Sequence, residues 1–421
     1  MSFASLGLID QIVRTLSSLS YTAPTPVQSQ AIPAVLAGRD VMAAAQTGTG
    51  KTAGFALPLL QRLVMDGMQV NSNSVRSLVL VPTRELAEQV HESVRAYGEG
   101  LPLRTMVAYG GVSINPQMMR LRKGVDLMVA TPGRLLDLQR QNAVHFNQVQ
   151  TLVLDEADRM LDLGFSRDID QLLALLPKQR QTLLFSATFS DPIRALATKM
   201  LRDPVSIDAS PRNTTVKAIR QWIVPVDKKR KPDLFLHLLK RHAWPQALVF
   251  VKTRKGVDQL VELLDAKGIP ADSIHGDKPQ PARLRALDRF KAGEVRILVA
   301  TDVAARGLDI DELPVVVNVD LPIVAEDYVH RSGRTGRAGA SGEAVSLVCA
   351  DEVQQLAAIE ALTGQTLERK EEAGFEPDHR VPETNAGGQI VKKPKKPKKP
   401  KHGASAKGDA PVVQEDVRFR R

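Results

Sequence analysis

Val149-Gln-Thr-Leu-Val-Leu-Asp-Glu-Ala-Asp158 is an apolar, strand-like run that ends abruptly on acids, with Asp155, Glu156 and Asp158 inside four residues. About a hundred residues earlier another such run, Val41-Met-Ala-Ala-Ala45, ends on Gln46-Thr-Gly-Thr-Gly-Lys51-Thr52. In the earlier segment glycines stand where backbone N–H groups wrap phosphate oxygens. Lys51 can reach the β and γ phosphates, and the Thr52 hydroxyl suits Mg2+. In the later segment Asp155 offers the same metal a hard carboxylate, and Glu156 can orient or deprotonate water. In this order, each after a strand-like run, the two segments predict a nucleoside triphosphatase.

The same kind of run recurs on both sides. Leu78-Val-Leu-Val81, Leu127-Met-Val-Ala130, Leu152-Val-Leu154 and Thr182-Leu-Leu-Phe185 are short, continuously apolar and separated by helix-length amphipathic stretches. Strands buried on both faces of a parallel α/β sheet look like this. Ala247-Leu-Val-Phe-Val251, Ile297-Leu-Val-Ala300, Val315-Val-Val-Asn-Val319 and Ala344-Val-Ser-Leu-Val348 predict a second sheet. Between the sets, the polar stretch from Asp203 to Thr215 carries two prolines and reads as a connection. Ligands of open α/β sheets bind beyond the carboxyl ends of the strands. The unusual polar clusters sit at such ends, among them Pro82-Thr-Arg84, Thr131-Pro-Gly-Arg134, Ser186-Ala-Thr188 and Thr301-Asp302. Two functional edges are expected, presented to each other.

Composition bounds the remainder. A chain of 421 residues that is 43% hydrophobic can form two or three domains with sizeable cores. The single cysteine, Cys349, excludes an internal disulfide, and no Cys/His cluster has zinc-ligand spacing. The start lacks a basic segment before its apolar residues, and no stretch approaches a membrane span, so a cytoplasmic protein without a membrane partner is expected. The net charge of +10 is uneven. Residues 376–421 hold 12 Lys and Arg against 6 Asp and Glu, leaving 45 against 41 for the rest. Within that tail Val391-Lys-Lys-Pro-Lys-Lys-Pro-Lys-Lys-Pro-Lys401 repels itself and cannot bury apolar area. It predicts an extended, disordered arm attracted to a polyanion, or else a solubilising tail.

The second half has no phosphate loop. It offers Tyr328-Val-His-Arg-Ser-Gly-Arg-Thr-Gly-Arg337, three arginines three apart, interrupted by glycines that disfavour a helix. Arginine's planar fork matches phosphate oxygens and suits transition-state stabilisation from an opposite domain.

With these segments in place the chain resembles the DEAD-box ATP-dependent RNA helicases, and among them the bacterial RhlE-like group. The resemblance spans residues 3 to 375. It includes Tyr21-Thr-Ala-Pro-Thr-Pro-Val-Gln28, Gly110-Gly111, Val249 to Arg254, His275-Gly276 with Gln280 and Arg283, and Ala300 to Ile310 beside the segments above. Ser20 and Ser332 depart from the common pattern without removing a charge or a ligand. The resemblance implies two tandem RecA-like domains with parallel sheets: residues 1–207, a linker at 208–217, residues 218–375, and the disordered basic tail from 376 to 421.

The resemblance also implies the following roles. ATP and Mg2+ are bound by Gln46, Thr47, Gly48, Thr49, Gly50, Lys51 and Thr52, with Asp155 on the metal partly through water. Gln28 reads the adenine edge, Tyr21 stacks on the ring, Phe3 is an upstream aromatic, and Asp309 joins the nucleotide set. Lys51, Asp155, Glu156, Arg334 and Arg337 carry catalysis. RNA is held through its backbone by Thr83, Arg84, Gly111, Thr131, Gly133, Arg134, Gly276, Arg283 and Thr301. Asp158, Ser186, Thr188 and His330 couple the nucleotide edge to domain closure. The implied activity is RNA-stimulated ATP hydrolysis with local, non-processive unwinding by a monomer, with ribosomal precursors or RNA-turnover proteins as candidate partners. An ATP-gated RNA clamp without unwinding and a DNA translocase are the alternatives.

Overall fold

The computed structural model describes residues 2–45, 48–187, 189–209, 219–305, 310, 313–336 and 342–391. Its first sheet has seven parallel strands: β1 (Val41–Ala44), β2 (Val75–Leu80), β3 (Thr105–Ala108), β4 (Val125–Ala130), β5 (Thr151–Leu154), β6 (Gln181–Ser186) and β7 (Val205–Asp208), in the order β3-β4-β2-β5-β6-β1-β7. Alternate residues of one strand feed two separate cores. Val153 joins one face with Val79, Val129 and Phe185, while Leu152 and Leu154 join the other with Leu78, Met128 and Leu184. Burial on both faces removes each large side chain from water, worth about 1.5–3 kcal/mol apiece, which is why these strands read as continuous apolar runs.

The second sheet repeats the plan with β8 (Ile219–Pro225), β9 (Ala247–Phe250), β10 (Ala271–Ile274), β11 (Ile297–Ala300), β12 (Val315–Asn318), β13 (Gly342–Val348) and β14 (Glu368–Arg369), in the order β10-β11-β9-β12-β13-β8-β14. Val249, Val299 and Val317 face one core, and Leu248, Leu298 and Val316 face the other. Helix starts follow local chemistry. Thr25 and Gln28 close a reciprocal capping box on the helix Pro26–Leu36, and Thr83 and Thr253 cap the helices that follow β2 and β9. Among the described residues no helix is long and apolar enough to cross a membrane.

The fold departs from the sequence reading in three places. The polar stretch from Asp203 is not wholly a connection: Val205–Asp208 is the edge strand β7, paired in parallel with β1, and Ala209 donates its N–H to the Ala44 carbonyl. Asp208 thus lies in the sheet rather than in the linker, while residues 210–218 lie outside the description. Second, the arginine segment begins inside a helix, Ala325–Ser332, with Gly333 as its C-cap. Third, the tail is not extended from residue 376. Residues 376–391 pack on the second sheet, where the Asp227 carboxylate accepts the N–H groups of Asp378 (2.8 Å) and His379 (3.2 Å). Arg369 donates to the carbonyls of Val381 (3.0 Å) and Pro382 (2.7 Å), and β15 (Glu383–Thr384) pairs with β16 (Ile390–Val391) as an antiparallel hairpin. The lysine-rich run from Lys392 onward lies outside the described residues.

Candidate functional site

The carboxyl end of β1 turns into a helix, Lys51–Asp66, through Gly48 and Gly50, whose φ values of 77° and 84° lie in the left-handed region. Gly50 is fixed by more than its torsions, because a Cβ there would come within 2.2 Å of the Gln28 side-chain nitrogen. Gln28, only 1% exposed, donates from Nε2 to the Gly50 carbonyl (3.0 Å) and accepts the Thr25 N–H at Oε1 (2.9 Å). The loop therefore ends with Lys51 and Thr52 in the first turn of a helix, whose free N–H groups and dipole favour an anion. Gln46 and Thr47 lie outside the described residues.

Two strands along the sheet, with β6 between, β5 delivers Asp155 and Glu156 to the same edge. Burial pushes the Asp155 carboxyl up to about 6, against the pull of Lys51 and with Glu156 adding to the rise. Burial acts upward on Glu156 too, but Arg159, Lys51 and Arg334 outweigh it and hold that carboxyl at about 2. Arg159 reaches the Glu156 carboxylate at 2.5 Å. Glu156 has left-handed backbone torsions (φ 54°, ψ 52°) as the N-cap of the helix Ala157–Asp162. That conformation costs a non-glycine residue on the order of 1–3 kcal/mol and is found at functional sites. Asp158 accepts the Ala187 N–H at 2.9 Å, tying this helix to the end of β6, where Ser186 is fully buried.

The second domain closes over this edge. His330 keeps a solvent-accessible surface. The protein around it nevertheless lowers its pKa by desolvation, with Asp158 opposing and Arg159 and Arg334 reinforcing. Arg334 is buried and acts electrostatically on Glu156. Arg331 is committed elsewhere: it pairs with both Asp302 oxygens (2.5 and 2.7 Å), donates to Asn318 Oδ1 and the Asp320 carbonyl, and stacks on Phe250. Arg337, Thr188 and Asp309 lie outside the described residues.

The aromatics expected near the base form a chain. Phe3 packs edge-on to the half-buried Tyr21, whose hydroxyl bonds that of Tyr97 at 2.8 Å. Phe3 is itself buried, so it backs Tyr21 rather than offering an open face.

The other expected contacts lie at or near the carboxyl ends of strands in the two sheets. Arg84 lies so close to Gly111 (φ 77°) that a Cβ there would be 2.1 Å from its Nη1. Arg134 donates from Nη2 to the Val112 carbonyl at 2.8 Å, leaving Nε and Nη1 buried without a partner. Thr131 precedes the helix Pro132–Arg140 without capping it, so its hydroxyl is not spent there, and Gly133 opens the same helix. Thr83 spends its hydroxyl on the Leu86 N–H. From the second domain, Thr301 follows β11, Gly276 lies 3.4 Å (as a Cβ) from the Arg254 guanidinium, and Arg283 meets Glu85 of the first domain at 3.0 Å. Burial lowers the pKa of both Arg134 and Arg283, and Arg84 adds to each shift.

Three contributors carry no assigned role in the sequence reading: Glu85, Arg159 and Tyr97. Glu85 and Arg159 are charged residues next to recognised segments, but their partners lie on another domain or one turn away. Only the helical i,i+3 spacing of Glu156 and Arg159 was available as a signal.

The chain is similar to known proteins along most of its length. The DEAD/DEAH box helicase family model matches residues 25–196, and the helicase conserved C-terminal domain model matches residues 230–339. The chain is 42% identical over 368 residues to the DEAD-box ATP-dependent RNA helicase CshA of Geobacillus kaustophilus, covering 87% of this chain and 78% of that protein. Saccharomyces cerevisiae Dbp5 bound to RNA and ADP BeF3 superposes with a TM-score of 0.77 at 31% identity, over 89% of this chain and 95% of that one. A Dbp5 variant bound to Nup159, a Gle1 variant and ADP gives 0.59 at 30% identity, over 88% and 96%. The two-domain arrangement here superposes better on the RNA-bound Dbp5 structure than on this second one.

The Glu85–Arg283 pair spans that arrangement with both side chains nearly inaccessible (3% and 10%). Removing one partner of a buried pair costs about 3–5 kcal/mol because the other charge is stranded, here beside Arg84. Glu85→Gln is therefore expected to shift the domains toward separation, read as lower interdomain energy transfer between dyes on the two sheets. The exchange Glu85→Arg with Arg283→Glu should recover part of the loss. An unchanged distance distribution in Glu85→Gln would remove the pair from the closure.

Proposed function

The chain belongs to the DEAD-box ATP-dependent RNA helicase family, and from that membership we propose how its cleft couples ATP hydrolysis to RNA. The carrying observation is the basic cluster that bridges the domains. Arg84 acts electrostatically on both Arg134 and Arg283, Glu85 pairs with Arg283, and three guanidinium nitrogens, Nε and Nη1 of Arg134 and Nε of Arg283, are buried without a partner. Buried unpaired donors are costly. A run of phosphate oxygens crossing from one domain to the other would satisfy them, and such contacts fix position without reading sequence. Thr83, Gly111, Thr131 and Gly133 on the first domain, with Gly276 and Thr301 on the second, extend the track toward 2′-hydroxyl and phosphate groups.

At the nucleotide edge Lys51 and the loop N–H groups hold the β and γ phosphates. Asp155, raised in pKa by burial with Lys51 close by, and the half-exposed Thr52 hydroxyl fit a cation. Among the described residues no cluster of three or more His, Cys, Asp or Glu could hold a metal alone. That suits Mg2+, which binds through one or two carboxylates together with phosphates. When bound, the ion would neutralise charge on the β and γ oxygens. Glu156, kept ionised, accepts a proton from the attacking water, and Arg334 meets the charge that develops on the transferred group. Arg334 arrives with the second domain, so whatever RNA gains by bridging both domains also populates the hydrolytic arrangement. A straight duplex does not fit a cleft that grips one strand on both walls, which leads to local, non-processive strand separation.

Gln28 fits adenine by counting. A glutamine amide has two N–H donors and an oxygen with two lone pairs. Gly50 and Thr25 take one of each, leaving one donor and one acceptor, the complement of adenine N7 and N6. Guanine presents two acceptors on that edge. Membership of the RhlE-like group, a monomeric cytoplasmic enzyme, and a role in ribosome assembly or RNA turnover complete the proposal.

Turnover measured with RNA, with DNA and with neither tests this reading: RNA should stimulate strongly and DNA weakly. Lys51→Ala and Arg334→Ala should each lose about 10³-fold or more of the RNA-stimulated rate. Near-normal turnover by Arg334→Ala would refute the closed-cleft mechanism.

ATP should be used in preference to GTP, because an unpaired polar group in the site penalises the wrong base. Equal use of both nucleotides, unaltered in Gln28→Ala, would contradict the amide count.

Seven lysines lie in Lys392 to Lys401. If all met single-stranded phosphates, the slope of log affinity against log salt would steepen by about five, at roughly 0.7 per contact. Deleting residues 392–421, which spares the packed segment before them, should raise the RNA concentration for half-maximal turnover and flatten its salt dependence. A deletion that matches the full chain at every salt concentration would assign the run to another task.

A further inference from the structure

Residues 366–391 lie beyond the part of the chain matched by either family model, yet they reach the helix that carries the cleft-facing histidine and leads into the arginine. Val381 is 2% exposed and shares a small core with Tyr328, Leu356, Ile359 and Leu367. Tyr328 stands two residues before His330 in the helix Ala325–Ser332. Its hydroxyl lies among Ser332, Ser346 and Glu360, and burial raises its pKa. Glu360, fully buried, accepts the Leu367 N–H at 3.0 Å, so one acid fastens the start of the segment beside the tyrosine.

The far end is seated as closely. Gly388 has φ 74°, and a Cβ there would meet the Ala361 Cβ at 2.9 Å and the Ala357 carbonyl at 3.2 Å, both on the helix Val353–Thr363. Between the ends, Arg369 holds the backbone at Val381 and Pro382, and Asp227 holds it at Asp378 and His379. The segment crosses the second domain as a belt, with a single deeply buried apolar side chain in its latter half.

We propose that residues 366–391 are a strap that positions the helix leading into Arg334, with Val381 sharing the apolar cluster of Tyr328 so that His330 and Arg334 meet Asp158 and Glu156 when the domains close. This rests on the reading of Arg334 as the transition-state arginine. Val381 touches no reacting group, so it is a positioning residue. Its effect belongs to turnover in the closed state and not to capture of RNA, because no RNA contact named above lies on the strap.

The test uses full-length protein carrying Val381→Asp, Val381→Leu or Gly388→Ala, each with and without Arg334→Ala, at saturating ATP. A misplacement of about 1 Å at a distance from the chemistry can cost up to about 10²-fold. Val381→Asp is expected to lower the RNA-saturated rate by at least about tenfold, with the RNA concentration at half-maximal rate within about twofold of wild type; about tenfold corresponds to 1.36 kcal/mol of barrier. Val381→Leu should retain most of the rate. In the Arg334→Ala background the aspartate should cost less than about twofold, since the group being positioned is already gone. If Val381→Asp melts below the assay temperature, Gly388→Ala, which adds one carbon where the far end of the strap meets the helix Val353–Thr363, carries the comparison. An equal fractional loss in both backgrounds, or an unchanged rate in both strap variants, overturns the strap. Retained turnover in Arg334→Ala alone overturns instead the arginine reading on which it rests.

Discussion

A parallel sheet covered by apolar side chains on both faces can display polar chemistry only beyond the ends of its strands, and the rest of this molecule follows from that constraint. Asp155 follows β5, Lys51 follows β1, Ser186 ends β6, Thr131 follows β4 and Thr301 follows β11. Each is carried to its edge by a strand too apolar to hold it anywhere else. The same packing makes those edges poor in water, which is why Asp155 rises to about 6 and why buried charges there answer so strongly to their neighbours.

From this it follows that neither edge is electrically complete alone. Glu156 is kept ionised by Arg159 and Lys51 of its own domain and by Arg334 of the other, and Glu85 faces Arg283 across the cleft. A buried ion pair adds little net stability compared with apolar packing, but a stranded member is expensive. Pairs divided between two domains therefore act less as glue than as a condition on geometry. The closed arrangement is tolerable only when the partners meet, and the remaining unpaired guanidinium groups make it better still with an anion present.

The sequence made the central strands legible because they are buried on both faces: β1, β2, β4, β5 and β6 in the first sheet, and β9, β11, β12 and β13 in the second, all appear as apolar runs. β7 and β10 did not, for a physical reason. They are edge strands with two polar residues in four, alternating in Val-Ser-Ile-Asp and adjacent in Ala-Asp-Ser-Ile, and they bury only part of each strand. β3, at the opposite edge, starts on a half-exposed threonine. The phosphate loop and the acidic turn were legible because each compresses its chemistry into a few consecutive residues. Glu85, Arg159 and the strap were not. Their partners stand on another domain, one helical turn away or about 150 positions distant, as Asp227 is from Asp378 and His379, and no local pattern records such a pairing. The strap is polar, with six Asp and Glu against three Lys and Arg, and its apolar anchors Leu367 and Val381 stand fourteen residues apart, so no periodic apolar pattern ties it to the domain it packs on.

Where local rules fail in this chain, the failure marks the site. A helix N-cap favours a short side chain that bonds the exposed N–H groups. Glu156 occupies that position without such a bond and in left-handed torsions. Substituting a better cap would relax the turn, yet it would withdraw the carboxylate from Arg159, Lys51 and Arg334. The strained turn persists because three cations and the buried ends of β5 and β6 over-determine it. Strain of a few kcal/mol is then the cost of aiming one oxygen, and the surrounding parallel sheet, rigid and closely packed, is what allows that cost to be carried.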